Sequence, residues 1–134
     1  MKLRRAAGIG YAVVSAGVVA FQIALALGAP WGSYAMGGAF PGQFPPALRL
    51  TALVQAAVLL LMAAVVLARA GIALRGWFRV SRWLVWVVVA FAAVSLVLNL
   101  ITPSAGERMI WAPVAFALLV CSLLVATGRP AAEH

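Results

Sequence analysis

The residues able to do chemistry are few, and they gather at one level of the chain. Gln22, Arg49, Gln55, Asn99, Glu107 and Arg108 fall inside or at the rim of long apolar runs, with Ser95 among them. A polar group in hydrocarbon costs free energy until it finds a partner, so such residues mark either interhelical hydrogen bonds or a site. Catalysis is poorly served. General acid-base work needs titratable groups held beside a reactant, and the candidates are Glu107, Glu133 and His134, two of them in the terminal "AAEH". Cys121 sits in an apolar run, surroundings that disfavour the thiolate a thiol mechanism needs. One cysteine excludes an intramolecular disulfide, and one histidine leaves no metal cluster to assemble. The pattern points to a non-catalytic protein that needs no cofactor and no metal.

The elements that position these residues follow from composition. Of 134 residues 66% are hydrophobic and 9% charged, whereas a soluble domain carries about a quarter charged residues. The charges divide the chain into uncharged runs from Arg5 to Arg49, Arg49 to Arg69, Arg82 to Glu107 and Arg108 to Arg129. A bilayer core of ~30 Å takes about 20 apolar residues at ~1.5 Å each, so every run holds one crossing. The first is long enough to hold a loop as well. The expected fold is all-α, a polytopic membrane protein, with residues 1–134 forming one four-transmembrane-helix bundle. Its helices fall near 6–28, 47–68, 82–101 and 109–127, with a Gly/Pro-rich outer loop at 29–46 and a cytoplasmic loop at 69–81. A cleaved signal peptide is the competing reading of "MKLRR" and "ALALGA". The apolar stretch exceeds the usual 7 to 15 residues of such a segment and argues against it.

A formal charge of +8 would suggest nucleic acid in a soluble protein. Its distribution says otherwise. Lys2, Arg4, Arg5, Arg69, Arg75, Arg79, Arg82 and Arg129 fall on one side of the expected membrane, and Arg49 and Arg108 on the other. The positive-inside rule then places both termini and "RAGIALRGWFRVSR" in the cytoplasm of a multi-pass protein of the cell's inner (plasma) membrane. The basic loop attracts anionic lipid heads, so the expected partners are the lipid bilayer and a second copy or a membrane protein, and not nucleic acid.

Within helix one, Gly8, Ala12, Ala16, Ala20, Ala24 and Gly28 recur every fourth position, which reads as a packing ridge at the centre of the bundle. Pro46 suits the first turn of helix two. Ser104 and Glu107 form a capping-box pattern ahead of helix four, with Pro113 in its first turns. Trp77, Phe78, Trp83 and Trp86 at one end, and Trp31, Tyr34 and Trp111 at the other, read first as interfacial belts. Setting "RLTALVQAAVLLLMAAVVLARAG" beside "RMIWAPVAFALLVCSLLVATGRP" aligns Arg49 with Arg108, which suggests either a duplicated hairpin or shared hydropathy alone.

Gln22 and Gln55 each lie about six residues inside the outer helix ends, roughly 9 Å deep. Ser95 and Asn99 fall in the same half, and Arg49, Glu107 and Arg108 lie just above. Two readings stand side by side. The amides cross-link helices, at ~0.6 and at most about 2 kcal/mol each, or they line an outward-facing polar pocket under the loop. The stretch "LGAPWGSYAMGGAFPGQFPPALRL" has five glycines and four prolines, too many for helix or strand. It is expected to lie across the bundle as an ordered cap, anchored by Arg49 pairing with Glu107 and by loop carbonyls.

"LGAPWGSYAMGG", "FPPALRL" and "NLITPSAGERMIWAPV" resemble a widespread bacterial group of small uncharacterised four-helix integral membrane proteins. The resemblance covers both outer loops and the adjoining helix ends, implies fold and placement, and singles out Arg49, Asn99, Glu107 and Arg108. Small multidrug exporters share the size but need a carboxylate in helix one, where this chain has Gln22. The Gly-rich, arginine-bearing helix signature of small fluoride channels is missing too. The expected function is a bundle that self-associates or accompanies a membrane partner. The alternative is a small transporter, channel or lipid-like ligand binder using the outer polar pocket.

Overall fold

The computed structural model describes residues 2–128, so Arg129, Glu133 and His134 lie outside the described residues. Four helices, α1 (Lys2–Ala26), α2 (Pro46–Arg69), α3 (Phe78–Ile101) and α4 (Ala105–Thr127), make an all-α bundle. Each is long and apolar enough to cross a membrane. The helices run past the apolar stretches, because hydropathy marks the length that fits in hydrocarbon and not the length that is helical. Arg79 sits in the first turn of α3 instead of in a loop, and the link from α2 shortens to residues 70–77. Arginine is a good helix former and lets both helices extend.

The helix ends have identifiable causes. At α1, Gly28 takes φ +103°, its N–H donates to Leu25 O, and Ala29 N–H reaches back to Ala24 O, a Schellman closure. Gly71 does the same for α2 at φ +76°, with Ile72 N–H donating to Leu67 O. Pro46 opens α2 at its first position, where its missing N–H is no loss. Ser104 caps α4 by accepting from Glu107 N–H at 3.2 Å.

The bundle has two unlike ends. At the terminus end, where α1 starts and α4 finishes, one core draws on all four helices through Tyr11, Val66, Val85, Val88 and Val125. At the loop end the buried apolar clusters join α1, α2 and the loop alone: Val19 with Ala56 and Leu59, and Leu25 with Ala52 and Phe44. There α1 meets α4 through the rings of Phe21 and Trp111.

The small-residue ridge of α1 is not the packing centre. Ala16 and Ala20 are exposed, and a Cβ at Gly17 would meet nothing within 4 Å. The buried line is Ala7, Tyr11, Ser15, Val19 and Leu25. Each four-residue step advances ~40° around a helix, so a six-member ridge winds off any one face. Of its members, Gly8 does meet a neighbour closely, since a Cβ there would lie 2.8 Å from Ala70 Cβ. Ala16→Leu and Ala20→Leu should each change stability by less than about 0.5 kcal/mol. Gly8→Leu should cost about 1 to 3 kcal/mol through overpacking. Thermal midpoints of the three variants in mild detergent check this ordering.

Candidate functional site

The segment from Gly28 to Pro45 is an ordered cap. It carries two single 3-10 turns, Gly32–Tyr34 and Met36–Gly38, and closes on itself where Gly32 N–H donates to Gly42 O at 2.9 Å. It lies over the start of α4. Ser104 Oγ donates to Ser33 O at 2.8 Å, and the Trp111 indole N–H donates to Tyr34 O at 2.7 Å. Gly106 leaves room for the Tyr34 ring, which a Cβ there would approach to 2.6 Å. The loop aromatics form a clasp beyond any interfacial role: Phe21 stacks on Trp31 at 6.2 Å and meets Trp111 edge-on at 4.7 Å.

Arg49 serves this cap, but not through the expected partner. Among the described residues no ion pair joins Arg49 to Glu107. The Arg49 Nε–H donates to Phe44 O at 2.8 Å, and its terminal nitrogens pass 3.4 to 3.5 Å from where a Gly28 Cβ would be. One guanidinium thus bonds the end of the loop and lies beside its start. Glu107 stands on α4, across the bundle from α2, whereas the Phe44 carbonyl lies five residues back in the chain. Arg108 behaves alike, donating from Nη1 to Thr102 O at 2.8 Å and closing the α3–α4 turn. The two arginines aligned by sequence therefore do the same local job.

Beneath the cap, lined by residues of all four helices, is a cavity of about 810 Å³. Gln22, Gln55, Asn99 and Glu107 all line it, with Thr51, Ser95 and Thr102. Arg49 and Arg108 do not, and among the described residues no lysine or arginine does. Its walls are Phe21, Phe44, Val58, Phe91 and Leu98, and Tyr11 and Leu118 also line it. The volume falls within the ~300–1,000 Å³ of small-molecule sites, as does the plan of apolar walls with a few polar groups.

The amides do not cross-link helices. Asn99 Nδ2 donates to Ser95 O at 2.7 Å within its own helix. Among the described residues, Gln22 and Gln55 have no hydrogen-bonded protein partner. Four polar side chains from four helices thus converge on one space, two of them with their amides uncommitted. The donor set, one carboxylate and no thiol or imidazole, has little capacity for metal or covalent chemistry.

Sequence reasoning missed two arginines at the other end. Arg4 is 2% exposed and donates from Nε to Val125 O at 3.1 Å, capping the last turn of α4. Arg69 is buried too; it donates from Nη1 to Phe78 O at 3.1 Å and lies 4.3 Å over the Phe78 ring. Nothing in their spacing separates them from their solvated neighbours. Comparison with protein-family models, with curated proteins and with solved structures gave no match.

Proposed function

We propose that this chain is a non-catalytic multi-pass membrane protein that holds an amphipathic, lipid-like molecule in the cavity beneath its loop. The observation that carries this reading is the 810 Å³ cavity, to which half-buried Gln22 and exposed Gln55 bring amides that bond no protein group among the described residues. A polar group in an apolar surround without a partner is costly, and a ligand supplies what the protein does not. A channel is less well supported, since a core drawing on all four helices packs the terminus end.

Gln22→Leu and Gln55→Leu test the reading. Each should leave the thermal midpoint unchanged or raised, because no protein hydrogen bond is lost. Each should lower the amount of lipid retained through purification, measured by mass spectrometry of the extract. A loss of about 0.6 kcal/mol or more would instead mark the amides as helix cross-links.

The eight-to-two distribution of basic residues supports placement in the cell's plasma membrane with the loop end outward and both termini in the cytoplasm. In a Cys121→Ser background, a membrane-impermeant thiol reagent added outside should label Gln43→Cys and not Gly76→Cys. The reverse pattern would invert the molecule. Association with a second copy or a membrane partner is the second reading. The exposed small residues Ala16, Gly17 and Ala20 of α1 favour it, since they would let another backbone come close.

A further inference from the structure

We propose that the terminus end carries a seat for an anionic phospholipid, with one acyl chain lying in a groove between α2 and α3 and the phosphate held at the groove mouth by Arg75 and Arg79. The seat lies toward the other end of the bundle from the cavity under the loop and does not rest on the ligand read there. Leu61, Met62 and Val65 of α2, with Trp77 just before α3 and Leu84 and Val87 on it, line a groove of about 360 Å³. Every residue lining it is apolar. Leu61, Trp77, Leu84 and Val87 are also exposed on the outside of the bundle, so the groove is open along its length.

The length of the groove suits a lipid chain. From Trp77 to Val87 it runs roughly 15 Å at ~1.5 Å per residue, half of a ~30 Å hydrocarbon core and so the depth of one leaflet. Trp77 stands at the mouth, and an indole ring, apolar in body and polar at its N–H, settles at the level of the head groups. A chain in the groove therefore sets its own phosphate beside Trp77.

The charges around the mouth select the head group. Arg75 and Arg79 flank Trp77, two residues to either side, and both are exposed. Among the described residues neither makes a hydrogen bond or ion pair with the protein. Arg4, Arg69 and Arg82 are engaged elsewhere, with Val125 O, Phe78 O and the Trp83 ring. No carboxylate among the described residues balances this end, since Glu107 belongs to the other. Arg79 stands in the first turn of α3, whose start has no side-chain cap and no acidic residue. A cation fits the positive end of a helix poorly, and a phosphate fits it well. General attraction of a basic surface to anionic lipid spreads over every arginine, whereas the groove fixes one position.

The test uses the full chain in phosphatidylcholine vesicles that carry a small fraction of phosphatidylglycerol with a diazirine on one acyl chain, crosslinks being mapped by mass spectrometry. Saturable labelling is expected at groove residues such as Leu84 and Val87, at least about ten-fold above that from a phosphatidylcholine probe with the same chain. Arg75→Gln combined with Arg79→Gln should abolish that preference. Arg5→Gln combined with Arg82→Gln takes the same charge from the same end and should keep most of it. Leu61→Trp fills the groove from an exposed position and should cut labelling about ten-fold. Equal labelling by the two probes, or equal loss in both arginine pairs, overturns the phosphate site. Unchanged labelling of a folded Leu61→Trp, verified by its thermal midpoint, overturns the seating of the chain. Absence of saturable groove labelling, the outcome if a neighbouring protein helix covers the groove, overturns the proposal as a whole.

Discussion

Alanine at Gly32 is expected to unseat the loop and to destabilise the chain by about 2 to 4 kcal/mol. Gly32 is buried, and a Cβ there would overlap the Phe40 carbonyl oxygen and lie 2.7 Å from Gly42 O. Both obstacles are backbone, so no side-chain rotation relieves them. The loop must open between residues 32 and 42, and the Gly32 N–H to Gly42 O bond goes with it. Opening also draws the Ser33 and Tyr34 carbonyls away from Ser104 and Trp111. Overpacking costs about 1 to 3 kcal/mol and each lost hydrogen bond about 1, which sets the range. Gly42→Ala is the internal control. Its φ of +83° is unfavourable for alanine but a Cβ there meets nothing, so the cost should stay near 1 to 2 kcal/mol, about that of left-handed backbone alone. Thermal midpoints in detergent and the rate of protease nicking between residues 33 and 44 measure both. Gly32→Ala no worse than Gly42→Ala would mean the cap does not pack as described.

The second large effect is expected at Arg4. Arg4→Met should cost about 1 to 3 kcal/mol, because it strips the Val125 carbonyl of a charged donor in a buried place. Arg5→Met, one residue away and exposed, should cost less than about 0.5 kcal/mol. Arg4→Lys should recover little. The bond is made by Nε within a planar fork, and a lysine ammonium carries its charge on a different stem with no donor at that position. Equal midpoints for Arg4→Met and Arg5→Met would show that the cap at the end of α4 adds nothing.

How much was legible follows from what each inference used. Four helices could be read because hydrocarbon imposes a length, and charges interrupt the chain at that length. The shared depth of Gln22, Gln55, Asn99 and Glu107 could be read by counting residues along helices of known rise. The bond from Arg49 to Phe44 O was hidden because a search for opposite charges passes over backbone carbonyls, which a loop rich in proline leaves without local donors. The α1 ridge misled because alanine is common here, and spacing alone does not say which face meets a neighbour.

The Arg4–Val125 contact spans 121 positions of sequence, and this has a consequence for biogenesis. During synthesis Arg4 is made before three of the four helices, and the Val125 carbonyl reaches it only once α4 has been inserted. The last helix shelters the charge and completes the terminus end in one event. A chain stalled or cut before Val125 therefore lacks this closure between its first helix and its last.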